Sequence, residues 1–128
     1  MLIYLSYPMD GQPGHGIPRA TKVAAALRKQ GLDLVVPHEI MHGGDRHENP
    51  AYTHDDYVRA DIRLGLSRCG AIALCDGWAH STGCQMELDW ATANDLRVFF
   101  VELARVPVWP GRLALVPKLT PMDGKGPL

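Results

Sequence analysis

The sequence predicts an α/β domain: a three-layer, open parallel sheet of four to five strands flanked by helices. Short apolar runs of strand length recur along the chain, at Leu2–Ser6, Leu32–Val36, Ala71–Cys75 and Arg97–Val101. Helical segments separate the later ones, and strands alternating with helices of adequate length close into parallel crossovers. At 128 residues the chain is long enough for one compact domain over 1–128, with a core over 1–101 and a Pro-rich tail over 102–128.

Leu2–Ser6 reads as a first strand that runs into a Gly- and Pro-rich loop, Tyr7 to Gly16. Pro18 then precedes a helical run, Arg19–Gln30, with basic residues near its end and Gly31 as its stop. Leu32–Val36 is the second strand, closed by Pro37. Residues 37–53 are long for an uninterrupted loop, which predicts either a lid or a short helix. Tyr57–Arg68 is a second helix with an apolar stripe of Val58, Ile62 and Leu66, and Asp61 lies beside it.

Ala71–Cys75 is a third strand, of buried composition, and a polar loop over 76–80 follows it. Ser81-Thr82-Gly83 opens a third helix carrying Glu87 in its second turn. Arg97–Val101 is a fourth strand, and Leu113–Val116 is a candidate fifth within a stretch that holds five prolines, from Pro107 to Pro127. The strand–helix alternation is that of a flavodoxin-like or Rossmann-like sheet. Such sheets bind ligands beyond the carboxyl ends of their strands.

A formal net charge of -1, with no basic run, argues against a partner that is a nucleic-acid polymer. No segment approaches the 18 apolar residues of a membrane span, so no membrane partner is expected. The cysteines Cys69, Cys75 and Cys84 lack a CxxC spacing and read as buried free thiols, which fits a reducing, cytoplasmic location. His38, His42, His47 and His54 follow no metal-ligand spacing, and neither metal nor organic cofactor is expected.

Two carboxylates stand out. Glu87 lies between Cys84 and Ala91 on its helix, and Asp61 between Val58 and Gly65, so each falls at or beside an inward stripe. One reading is a nucleophile and a proton donor, the minimal kit for breaking a glycosidic bond. The other is a pair of solvated helix-face acids. Tyr4 is either core filler or a hydroxyl placed over the carboxylate. Ser81-Thr82-Gly83 is either an N-cap or an anion site at a helix start.

Three blocks resemble a known family: IYLSYPMDG from Ile3, YVRADIRLGLSRCGAIAL from Tyr57 and STGCQMELDWA from Ser81. Together they are similar to the nucleoside 2-deoxyribosyltransferase-like superfamily, which includes deoxyribosyltransferases and nucleotide N-glycosidases. The resemblance implies that Glu87 attacks the anomeric carbon of a ribose or deoxyribose, that Asp61 protonates or holds the departing base, and that Tyr4 orients Glu87. Ser6, Met9, Asp10, Gly11 and Arg19 would hold the sugar or its 5′-phosphate, with Ser81 and Gly83 completing that pocket. It also implies a homodimer or larger homo-oligomer.

Tyr7 departs from the pattern, standing where the family has a glycine; its side chain would narrow the pocket or stack on a base. Ser81 separates the branches. Transferases acting on unphosphorylated nucleosides resemble one another in having an aspartate there, which would repel a phosphate, whereas a serine hydroxyl with helix amides would bind one. The expected activity is hydrolysis of a nucleoside 5′-monophosphate, with base exchange between nucleosides and a non-catalytic nucleotide-binding module as alternatives.

Overall fold

The computed structural model describes residues 1–9, 16–40 and 53–128. It has five strands, β1 (Leu2–Ser6), β2 (Asp33–Val35), β3 (Ala71–Leu74), β4 (Arg97–Trp109) and β5 (Arg112–Pro121). Its helices are α1 (Ile17–Lys29), the single turn α2 (Pro37–Ile40), α3 (His54–Leu64) and α4 (Thr82–Ala93), with 3-10 turns at Leu66–Arg68 and Trp78–His80. The strands form one sheet in the order β2-β1-β3-β4-β5, the flavodoxin-like order of an open α/β sheet. The first four strands pair in parallel, and β5 pairs antiparallel to β4.

Side-chain alternation along β1 divides the core. Ile3, Leu5 and Tyr7 face one side, where Ala20, Ala24 and Leu27 of α1 cover them. Tyr4 faces the other side, with Ile72, Leu74 and Ala91, under α3 and α4. Both faces of β1 and β3 are buried, which explains why these strands read as continuous apolar runs. Helix α1 covers one face on the way to β2, and α3 and α4 cover the other. The chain therefore changes sides between the carboxyl ends of β1 and β3, the switch point of the sheet.

Helix starts follow their local chemistry. Thr53 and Asp56 form a reciprocal capping box for α3, with Asp56 N–H on Thr53 Oγ1 at 3.2 Å and Thr53 N–H on Asp56 Oδ2 at 2.9 Å. Ser81 caps α4 by accepting from the Cys84 amide at 3.2 Å. The segment expected to be a continuous helix over 57–68 starts at His54 and breaks at Gly65, after which the chain tightens into a 3-10 turn. Within the stretch expected as lid or short helix, Pro37–Ile40 is helical, and residues 41–52 lie outside the described residues.

The largest difference from expectation lies after Val101. Instead of ending there, β4 continues to Trp109 and returns as β5, so most of the Pro-rich stretch is a long hairpin. Prolines read as strand breakers, but an edge strand tolerates them where the missing N–H would point outward. Pro117 obeys this rule: its carbonyl points away from the ladder and accepts from Gln30 Nε2 at 2.7 Å, while Met122, of opposite parity, donates inward to Val98 O. At the hairpin base, Arg97 makes a two-pronged pair with Asp123, at 2.7 and 3.2 Å, which holds the Asp123 carboxyl down at about 2.

Candidate functional site

Glu87 is buried on α4, in a stripe with Gly83, Cys84 and Ala91. Gly83, Glu87 and Ala91 follow one another at intervals of four positions, so this carboxylate stands in the middle of the face that packs on the sheet. Two hydroxyls from β1 meet it. Tyr4 OH donates to Glu87 Oε2, and Ser6 Oγ donates to Oε1 at 2.8 Å. Residues two apart on a strand point the same way, so Tyr4 and Ser6 form a pair of donors under the helix. Tyr4 and Ser6 are fully buried and Glu87 is 5% exposed. A carboxylate withdrawn from water to that degree needs such partners.

Asp61 is buried on α3 in a stripe with Tyr57 and Val58. Helix α3 packs beside α4, and Val58 and His54 close on the first turn of α4: a Cβ added to Gly83 would lie 3.3 Å from Val58 Cγ2 and 3.4 Å from His54 Nε2. Gly65, at the end of α3, packs closely on Tyr4. A Cβ there would lie 3.0 Å from the Asp61 carbonyl and 3.2 Å from Tyr4 Cε2. Both acids are thus inside, on one face of the sheet, rather than on solvated helix faces.

Cys84 belongs to the same cluster. Burial pushes its thiol up, while hydrogen bonding to the Ser6 and Ser81 hydroxyls pulls it down and the charge of Glu87 raises it again. Ser81 therefore has a structural duty as the cap of α4. Gly83 occupies the first turn, where backbone amides have no carbonyl four residues back to bond with.

The other residues expected to bind sugar or phosphate lie elsewhere. Met9 packs against the apolar cluster on the α1 side of the sheet. Arg19, at the start of α1, lines a cavity of about 240 Å³ on that same side. Asp10 and Gly11 lie outside the described residues. The expected set is thereby divided: Tyr4, Ser6, Asp61, Ser81, Gly83 and Glu87 share the α3/α4 side, and Met9 and Arg19 the other.

Tyr7 turns its ring into the α1-side core, and its hydroxyl pairs with His38 Nδ1 at 2.7 Å. The rings meet edge to face, with centroids 5.8 Å apart, and His38 Nε2 lies 3.4 Å from Thr21 Oγ1. No local pattern announced this chain, because its three members come from β1's exit, α2 and α1.

The profile of a family described as Domain of unknown function (DUF4406) matches residues 1–100. The chain belongs to the DUF4406 family. The match takes in β1, α1, both acids and the start of β4, so the Tyr4–Ser6–Glu87 cluster lies within the DUF4406 portion and most of the hairpin beyond it. No curated protein matches this DUF4406 chain. Among its described residues, no helix is long and apolar enough to cross a membrane.

Proposed function

We propose that the protein is a hydrolase that cleaves the N-glycosidic bond of a nucleoside or deoxynucleoside 5′-monophosphate. One observation carries the reading: a buried carboxylate, Glu87, held through both oxygens by hydroxyls of the first strand. Fixing both oxygens leaves the carboxylate a single orientation, which is what a nucleophile attacking one carbon requires. Replacing a buried ionic group by an apolar side chain of similar volume is often neutral or stabilising, so two dedicated donors on a buried carboxylate favour a functional acid over a structural one.

In the proposed reaction, a Glu87 oxygen attacks the anomeric carbon as the base departs with the electron pair of the glycosidic bond. Asp61 gives the base its proton. Water then attacks the same carbon of the glycosyl ester, returns a proton to Asp61 and frees Glu87, giving free base and sugar 5-phosphate with net retention. The first turn of α4 would receive the phosphate: its amides and dipole favour an anion, and Ser81 introduces no competing charge. Free, buried Cys69, Cys75 and Cys84 fit a reducing cytoplasm.

The test is release of free base, read by chromatography, from a panel of ribo- and deoxyribonucleoside 5′-monophosphates. Turnover is expected with at least one nucleotide and none with Glu87→Gln, which keeps the side-chain volume and should remain folded by circular dichroism. Unchanged turnover in that variant, or no release from any nucleotide by the native protein, would overturn the reading.

A further inference from the structure

Past Val101 the sheet changes character. The register of β3 on β4 ends with Leu74 opposite Phe100, so among the described residues β4 and β5 continue alone as a two-stranded ribbon. Such a ribbon is marginal in water unless one of its faces is covered. Cross-strand pairing puts Leu103 and Pro117, Arg105 and Leu115, and Pro107 and Leu113 on one face. Leu103, Leu113 and Leu115, with Trp109 at the tip, are each between 60% and 68% exposed. Together they leave roughly 500 Å² of apolar surface, at the upper end of what a monomer shows as one patch. The outer edge of β5 is blunted, since Pro117 and Pro121 remove outward donors and Gln30 occupies the Pro117 carbonyl. The open surface is therefore the face rather than the edge.

The arm is basic as well as apolar. Residues 102–121 hold Arg105, Arg112 and Lys118 against the acid Glu102, while the whole chain has a net charge of -1. The rest of the molecule is therefore acidic, and the end of α4 is one such place. Its last turn has no basic side chain, Asp89 and Asp95 are exposed there, and the helix dipole adds to their charge. Exposed apolar side chains lie at this same amino edge of the sheet: Leu2 opens β1, and Met122 donates its N–H to Val98 O near the start of β4. This edge cannot meet its own hairpin tip, because Trp109 ends a 13-residue strand and lies about 40 Å along it. A second copy lying antiparallel can meet it. The arm beyond Val101 is about 26 Å long, enough to run the length of the 12-residue α4, about 18 Å, and reach its end.

We propose that two copies of this chain exchange their hairpins across a two-fold axis. Each arm lies with its leucine face on the body of the other copy, and its Arg105 and Arg112 approach the acidic end of that copy's α4. The two patches and the surfaces they cover come to roughly 2,000 Å², the size of a stable interface. Most of the hairpin lies beyond residues 1–100 that the family profile matches, so this surface belongs to the chain rather than to the family. Dimerisation of this kind is independent of the proposed hydrolysis.

Sedimentation equilibrium tests the assembly. The native chain, 14.1 kDa, is expected at twice that mass at micromolar concentration. Leu113→Asp/Leu115→Asp, at exposed positions, should sediment as a monomer with native circular dichroism. Arg105→Glu/Arg112→Glu and Asp89→Arg/Asp95→Asn should each weaken dimerisation at least tenfold. An equimolar mixture of those two chains should form a mixed dimer, because each arm then meets a body of opposite charge. The proposal is overturned if the native chain stays monomeric up to its solubility limit, if folded Leu113→Asp/Leu115→Asp still dimerises, or if the charge-altered mixture stays monomeric. Binding of a monomeric native chain to anionic phospholipid vesicles would also overturn it, by assigning the hairpin to a membrane surface.

Discussion

Ser6 Oγ donates to Glu87 Oε1 at 2.8 Å, joining residues 81 positions apart in the chain. Parallel pairing makes the contact possible. Ser6 lies opposite Leu74 at the end of β3, and the chain leaving β3 turns through 76–80 into the helix that carries Glu87. The serine and the glutamate therefore meet across one strand–loop–helix unit, and Tyr4 joins them from the same face of β1.

Removing either donor should weaken both fold and function. A hydrogen bond to a charged group contributes about 1.5–3 kcal/mol, so Tyr4→Phe and Ser6→Ala should each destabilise by about that amount in urea unfolding. If the bond is also needed at the transition state, base release should fall roughly 10- to 150-fold. The two donate to the two oxygens of one carboxylate, so the double variant should lose less than the sum of the singles. Strict additivity in both readouts would show that the two hydroxyls act on Glu87 independently of each other.

Gly16 should not tolerate a side chain. A Cβ there would lie 2.3 Å from the Pro8 carbonyl oxygen and 3.2 Å from Tyr7 Cδ2. The first neighbour is backbone, so the start of α1 would have to move away from the end of β1. Overpacking of this kind costs about 1–3 kcal/mol. Gly16→Ala should lower the urea midpoint accordingly and alter Tyr7 in near-ultraviolet dichroism; native stability in this variant would disprove the close approach.

The thiols should make the fold sensitive to alkali. Burial pushes Cys75 up from 9.0 to about 12 and Cys69 to about 11. A folded-state value above the unfolded one means that the native state favours the protonated thiol. That stability is present in full below pH 9, declines above it and is lost as pH rises through the folded values. Cys75→Ala should therefore lose less stability between pH 8 and pH 10 than the native protein does, measured by urea unfolding. All three thiols should also resist a disulfide reagent at pH 8 until the chain unfolds; rapid labelling of the folded protein would contradict their burial.

Much of the fold was legible in the chain. β1 appears at Leu2–Ser6 as its apolar run predicts, β3 and α4 fall within a residue of expectation, and Glu87 lies on the buried stripe that its spacing to Cys84 and Ala91 implies. The hairpin was legible only in part: the candidate fifth strand at Leu113–Val116 lies inside β5, but the extension of β4 to Trp109 and the full length of β5 were not expected. Pro107, Pro117 and Pro121 are breakers by local propensity, and only their outward parity in an antiparallel ladder admits them to strands.

The sequence by itself determined the α/β sheet, the helix start at Ser81, and positions for Asp61 and Glu87 at or beside inward stripes, because periodicity and capping are local and act within a few residues; that both acids are buried was decided by the packing of α3 and α4 on the sheet. Tertiary structure alone decided that Tyr4 and Ser6 both reach Glu87, that Met9 and Arg19 lie across the sheet from it, and that the hairpin walls a cavity at the switch point. Those relationships depend on strand order and on which face each helix covers. Residues separated by 81 positions carry no local signal of their pairing, since only the packing of the whole sheet brings them together.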